Sequence, residues 1–93
     1  MATIDSLKKT LSCLKGHRRS YEKRYEDVLK YSDVARTEKL KTLVLEQNDK
    51  IIANLKKMLD VVEDYQVDAY IAAQMEDAEG VEKKITEMFV MCY

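Results

Sequence analysis

The sequence predicts an all-α fold, and three observations carry that prediction. Pro is absent from all 93 residues and Gly occurs only twice, so little interrupts helix propagation. Apolar residues make up 46% and charged residues 35%, too apolar for a disordered tail and charged enough for solvated helical faces. Between Leu40 and Val62 the residues Leu40, Leu43, Val44, Ile51, Leu55, Met58, Leu59 and Val62 recur at helical spacing, leaving one apolar face that other segments must cover. A chain of this length supports one small domain, residues 1–93, whose burial only just offsets chain entropy. The expected architecture is an antiparallel helical hairpin extended to a three-helix bundle or coiled coil, with helices at about 4–30, 37–64 and 68–91.

The first helix has Thr3 or Asp5 as its cap. Ile4, Leu7, Leu11, Leu14, Arg18, Tyr21, Tyr25 and Val28 follow at alternating spacings of three and four, a heptad seam with one polar position. The aliphatic stem of Arg18 can cover apolar surface while its guanidinium reaches water or an acid. Gly16 weakens the middle of this helix by up to about 1 kcal/mol relative to Ala. Tyr31-Ser32-Asp33 interrupts the pattern, and Ser32, Asp33 and Thr37 are each candidate N-caps. A connection at about 31–36 is short enough to make helices one and two antiparallel neighbours.

The second seam runs through Leu40, Val44, Asn48, Ile51, Leu55, Met58, Val62, Tyr65, Ala69 and Ala72. Asn48 is a candidate buried polar residue of the kind that fixes register at some cost in stability. Beyond Ala72 the seam reads Met75, Ala78, Val81, Ile85, Met88 and Cys92, a change of register close to Gly80. Either a third helix folds back near 64–68, or one helix of roughly 80 Å projects and pairs with another chain; the three-helix arrangement is adopted. The expected core and interface residues are Leu7, Leu11, Leu14, Tyr21, Tyr25, Val28, Val44, Ile51, Leu55, Met58, Val62, Ile85, Met88 and Phe89. Residues 88–93 form an apolar end without a helix stop, so the chain is expected to continue or to dock this end into the bundle or a partner.

Chemistry is sparsely represented. His17 is the only histidine and has no second ligand at metal-binding spacing. Asp60, Glu63, Asp64 and Asp68 lie at i, i+3, i+4 and i+8, a pattern that could chelate a cation or serve as acid and base but is foremost that of a solvated helical face. Asp77-Ala78-Glu79-Gly80 lacks the remaining ligands of a calcium loop. Cys13 and Cys92 are far apart and read as free thiols in a reducing compartment. No phosphate-binding loop, nucleophile elbow or dinucleotide fingerprint occurs. No catalytic residue, cofactor or metal is therefore expected, and the chain reads as a non-enzymatic, soluble, cytoplasmic protein without a membrane span.

Charge is unevenly distributed. Residues 1–31 carry a net charge of +4 and residues 60–82 a net −8, so the two segments should attract, within one chain or between chains. The densest basic run is Lys15-Gly16-His17-Arg18-Arg19. With Lys23 and Arg24 it makes Lys15, Arg18, Arg19, Lys23 and Arg24 the candidate contacts for nucleic-acid phosphates, the alternative to a protein interaction role.

Two passages resemble a known family. Leu7-Lys8-Lys9 followed by Leu14-Lys15-Gly16-His17-Arg18-Arg19 resembles the opening of the helical amino-terminal region of Gag-like proteins in Bel/Pao-type retroelements. The run Ala73-Gln74-Met75-Glu76-Asp77-Ala78-Glu79-Gly80-Val81-Glu82-Lys83-Lys84-Ile85-Thr86-Glu87 resembles the acidic helix that closes that region. The family usually has an aromatic in its middle helix, whereas Leu40–Leu59 here has none. The resemblance implies a structural, self-associating module of a retrotransposon or of a host gene derived from one. Together with the continuous seams it leads to the expectation of a helical protein–protein interaction or oligomerisation module, its partner a second copy in a homo-dimer.

Overall fold

A computed structural model describes residues 3–62 and 65–92. Three helices and no strand occur among them: α1 (Ile4–Leu29), α2 (Val34–Val61) and α3 (Tyr65–Cys92). Thr3 caps α1, its hydroxyl accepting from the Ser6 amide at 3.2 Å. Asp33 caps α2, its carboxylate accepting from the Arg36 amide at 3.0 Å. This places the start of α2 three residues earlier than the expected 37. Thr37, one of the three cap candidates, is instead a buried helical residue whose hydroxyl donates to the Asp33 carbonyl at 2.7 Å. Between the helices Ser32 has φ 55°, the left-handed conformation that reverses the chain and that a non-glycine residue adopts at a cost.

α2 ends at Val61, so the chain reverses earlier than a helix to residue 64 would allow, and α3 begins at Tyr65 rather than 68. The single 80 Å helix is excluded. α3 runs through Gly80 without interruption, and nothing lies within 4 Å of a Cβ built at either Gly16 or Gly80.

The helices run up, down and up. Contacts from Lys15 to Gln74 and from Arg18 to Asp77 keep a constant offset of 59 residues, so α1 and α3 are parallel, and α2 is antiparallel to both. The result is an elongated body of 47 × 21 × 14 Å.

Burial falls in two clusters. One holds Leu7, Leu11, Ile51, Leu55, Met58, Ile71 and Ala78, with Leu14 and Val62 packed at its edge. The other holds Tyr25, Leu40, Val44 and Ile85, flanked by Tyr21, Val28 and Phe89. Met88 is half-buried. The seam continued through Ala69 and Ala72 is corrected: both are exposed, and Ile71 is fully buried in their place. A seam keeps its phase only along one helix, and the reversal after Val61 resets it. From there Ile71, Ala78 and Ile85 repeat every seven residues as the buried row of α3. Cys92, the last member of the expected seam, is exposed.

Candidate functional site

The residues with the most structured polar surroundings lie between the two clusters. Arg18 from α1 is 6% exposed and Asn48 from α2 is 1% exposed. Arg18 Nη1 donates to Asn48 Oδ1 at 2.9 Å, and Nη2 donates to Asp77 Oδ2 on α3 at 3.1 Å. Asn48 Nδ2 in turn donates to the main-chain carbonyl of Ala78 at 2.9 Å. The positions 18, 48 and 78 are thirty residues apart in sequence and stand at one height in three helices. Glu22, one turn along α1, holds a carboxylate oxygen 3.8 Å from Arg18 Nε, too far for a hydrogen bond, and that buried nitrogen has no hydrogen-bond partner.

Two further ties cross between helices on either side of this layer. Tyr25 donates its hydroxyl to the Ile85 carbonyl at 2.8 Å. Asn54 Nδ2 donates to the Leu7 carbonyl at 2.9 Å. Arg18 and Asn48 stand out in sequence as polar members of apolar seams, whereas Asn54 escapes that reading because it flanks the seam beside Leu55. All these ties hold helices in register. A guanidinium has no acceptor lone pair, so Arg18 acts in this layer as a donor only, toward Asn48 and Asp77.

The other sequence candidates are not brought together. His17 is exposed, and no group of three His, Cys, Asp or Glu side chains able to hold a metal occurs among the described residues. Asp60 lies on α2 and Asp68 on α3, so the four-carboxylate ladder does not share one helix; Glu63 and Asp64 lie outside the described residues. Cys13 and Cys92 are exposed and free. No helix among the described residues is long and apolar enough to cross a membrane.

Of the basic candidates, Arg19, Lys23 and Arg24 are exposed on α1. Arg18 is buried and occupied by Asn48 and Asp77, which removes it from reach of a phosphate. Lys15 is half-buried and donates to Gln74 Oε1 at 2.8 Å. The attraction between the basic first helix and the acidic third segment is realised within the chain by Arg18 and Asp77, side by side with the opposite pairing of Lys84 and Glu26 at 3.5 Å.

The large apolar side chains left exposed sort to the two ends of the bundle. Where α1 and α3 finish and α2 starts, Tyr31 is 74%, Val34 45%, Val90 68% and Met91 85% exposed. At the opposite end Leu59, Val61 and Tyr70 are exposed to a lesser degree, and the Lys8 ammonium stands 5.7 Å from the Tyr70 ring centroid. No family model, curated protein or solved structure matches the chain.

Proposed function

We propose that this chain is a non-enzymatic helical interaction module that associates with a second copy of itself through the apolar end bearing Tyr31, Val34, Val90 and Met91. The observation behind this reading is the gathering of four large exposed apolar side chains at one end, Met91 the most exposed of them at 85%. Water-exposed apolar patches favour association. An isologous contact sets the same patch of both copies face to face, and apolar side chains meet there without like-charge repulsion. Structural self-association is also what the resemblance to Gag-like amino-terminal regions implies. Sedimentation velocity over a wide concentration range tests it. A monomer–dimer equilibrium is expected, shifted to monomer by Met91→Glu combined with Tyr31→Ser at unchanged helicity. A strict monomer at every concentration overturns the reading.

A further inference from the structure

The two-helix face that α3 leaves uncovered is a groove with an apolar floor and a basic rim. Three open depressions follow one another along it, and none of their lining residues comes from α3. One, of about 410 Å³, is lined by Val28, Leu40 and Leu43 beneath Arg24, Arg36 and Lys39, with Asp27 as its one acid. Tyr21 and His17 continue it. Leu14 closes the series between Lys50 and Lys57.

The floor is periodic. Leu14, Tyr21 and Val28 are half-buried and recur every seven residues on α1, which is the spacing of one row in a helix–helix seam. The row is about 21 Å long at 1.5 Å per residue. On α2 the facing row passes Leu40, Leu43 and Gln47, and the Gln47 Oε1 atom is buried with no hydrogen-bond partner. A helix laid along this row would complete a four-helix bundle.

We propose that this groove docks an acidic amphipathic helix of another protein. Charge selects that occupant. Arg24, Arg36, Lys39, Lys50 and Lys57 are all exposed around the floor and outnumber the acids Asp27 and Glu46 there, so a helix carrying Glu or Asp beside its apolar stripe is attracted to it. The same grooves of two copies, set face to face, would bring like charges together. The outer side of α3 from a second copy is acidic but offers Ala69, Ala72, Ala73 and Gly80 along most of its length, its exposed large apolar residues Tyr70, Val90 and Met91 lying toward the two ends of the bundle. A nucleic acid would meet the cations but has no use for the row of Leu14, Tyr21 and Val28. The proposal shares the interaction-module reading above but uses a different surface from the self-contacting end.

The test uses the full chain and a fluorescein-labelled peptide of about 21 residues, three heptads with Leu at the seam positions and Glu beside them. Controls are the same peptide with Lys for Glu, and a scrambled peptide of the same composition. Fluorescence anisotropy should show saturable binding of the acidic helix alone, weakened at least about tenfold by Lys39→Glu with Lys50→Glu, and likewise by Leu43→Glu. Lys39 and Lys50 are exposed, so their replacement should leave helicity and melting temperature unchanged. Binding of the lysine or scrambled peptide with equal affinity, indifference to the rim substitutions, or no binding overturns the proposal. Displacement of the peptide by single-stranded RNA at equal charge concentration overturns it in favour of a phosphate-binding surface. Loss of self-association in the Lys39→Glu, Lys50→Glu chain overturns it in favour of a second copy. Peptide binding retained by the Tyr31→Ser, Met91→Glu chain separates this groove from the apolar end: each reading can then fall alone.

Discussion

The half of the bundle holding Leu7, Leu11, Ile51, Leu55, Met58 and Ile71 is closed by aliphatic side chains from all three helices. The half holding Tyr25, Leu40, Val44 and Ile85 has fewer fully buried residues and relies on one tyrosine that bridges α1 to α3. Between them lies a waist where Arg18 and Asn48 replace apolar residues, with Gly16 and Gly80 within two residues of the layer on α1 and α3. Aliphatic burial supplies free energy with little directionality. The waist, Tyr25 and, within the aliphatic half, Asn54 supply direction, because each hydrogen bond closes only at one height. The aliphatic half thus holds more of the burial, while register is set by the waist and by one tie on each side of it.

Breaking the aliphatic half should have the largest effect. Ile51→Asp puts a carboxylate at a position 1% exposed within the apolar cluster, a loss of several kcal/mol set against a total stability of about 5–15 kcal/mol for a domain. Loss of cooperative melting by circular dichroism is expected. Amide exchange will show whether α1 near Tyr25 keeps any protection once its neighbouring cluster is gone. Retention of full helicity and melting temperature would mean that the central seam is misplaced.

The waist comes next. Asn48→Leu strands the Arg18 Nη1 donor inside the protein and should cost about 2–3 kcal/mol in urea denaturation. Arg18→Met combined with Asn48→Leu should recover most of that loss, since it removes both buried side-chain members and leaves only the Ala78 carbonyl, within α3, and the half-exposed Asp77 carboxylate, which water can reach. An additive double variant would show that the two side chains are not coupled. In the second half, Tyr25→Phe keeps the buried ring and removes the bond to the Ile85 carbonyl, with an expected cost of about 1 kcal/mol. The smallest effect belongs to the glycines: Gly16→Ala and Gly80→Ala should each raise stability by up to about 1 kcal/mol, as open space surrounds both positions.

Most of this division was legible in the residues. Thr3 and Asp33 were readable as caps, and Arg18 and Asn48 as polar interruptions of apolar seams. Their meeting was not read from the seams, although each stands fifteen residues from Asp33 and an antiparallel hairpin brings positions equidistant from its turn to one height. The phase of α3 was legible from Met75 to Met88, where Ala78 and Ile85 are buried, but not in its first two turns. Tyr65, Ala69 and Ala72 continue the spacing of α2 by coincidence, and no Pro or Gly marks the reversal after Val61 to discourage that extension. Asn54 and Thr37 were hidden for other reasons: the Leu7 carbonyl of α1 arrives opposite Asn54, a property of two helices together, while the Thr37 hydroxyl is satisfied one turn back by the Asp33 carbonyl. The groove over Leu14, Tyr21 and Val28 was concealed within the α1 seam, because spacing alone does not say which of two neighbours takes which row.

Three of the ties that align the helices end on main-chain oxygens, those of Leu7, Ala78 and Ile85. An oxygen of that kind is present whatever side chain the position carries. The instructions for alignment are therefore concentrated in the donors Tyr25, Asn48 and Asn54, while the receiving helix surfaces are free to drift as long as they stay helical and of suitable size. A lineage built on this plan could exchange much of its alphabet and still assemble the same three rods at the same heights.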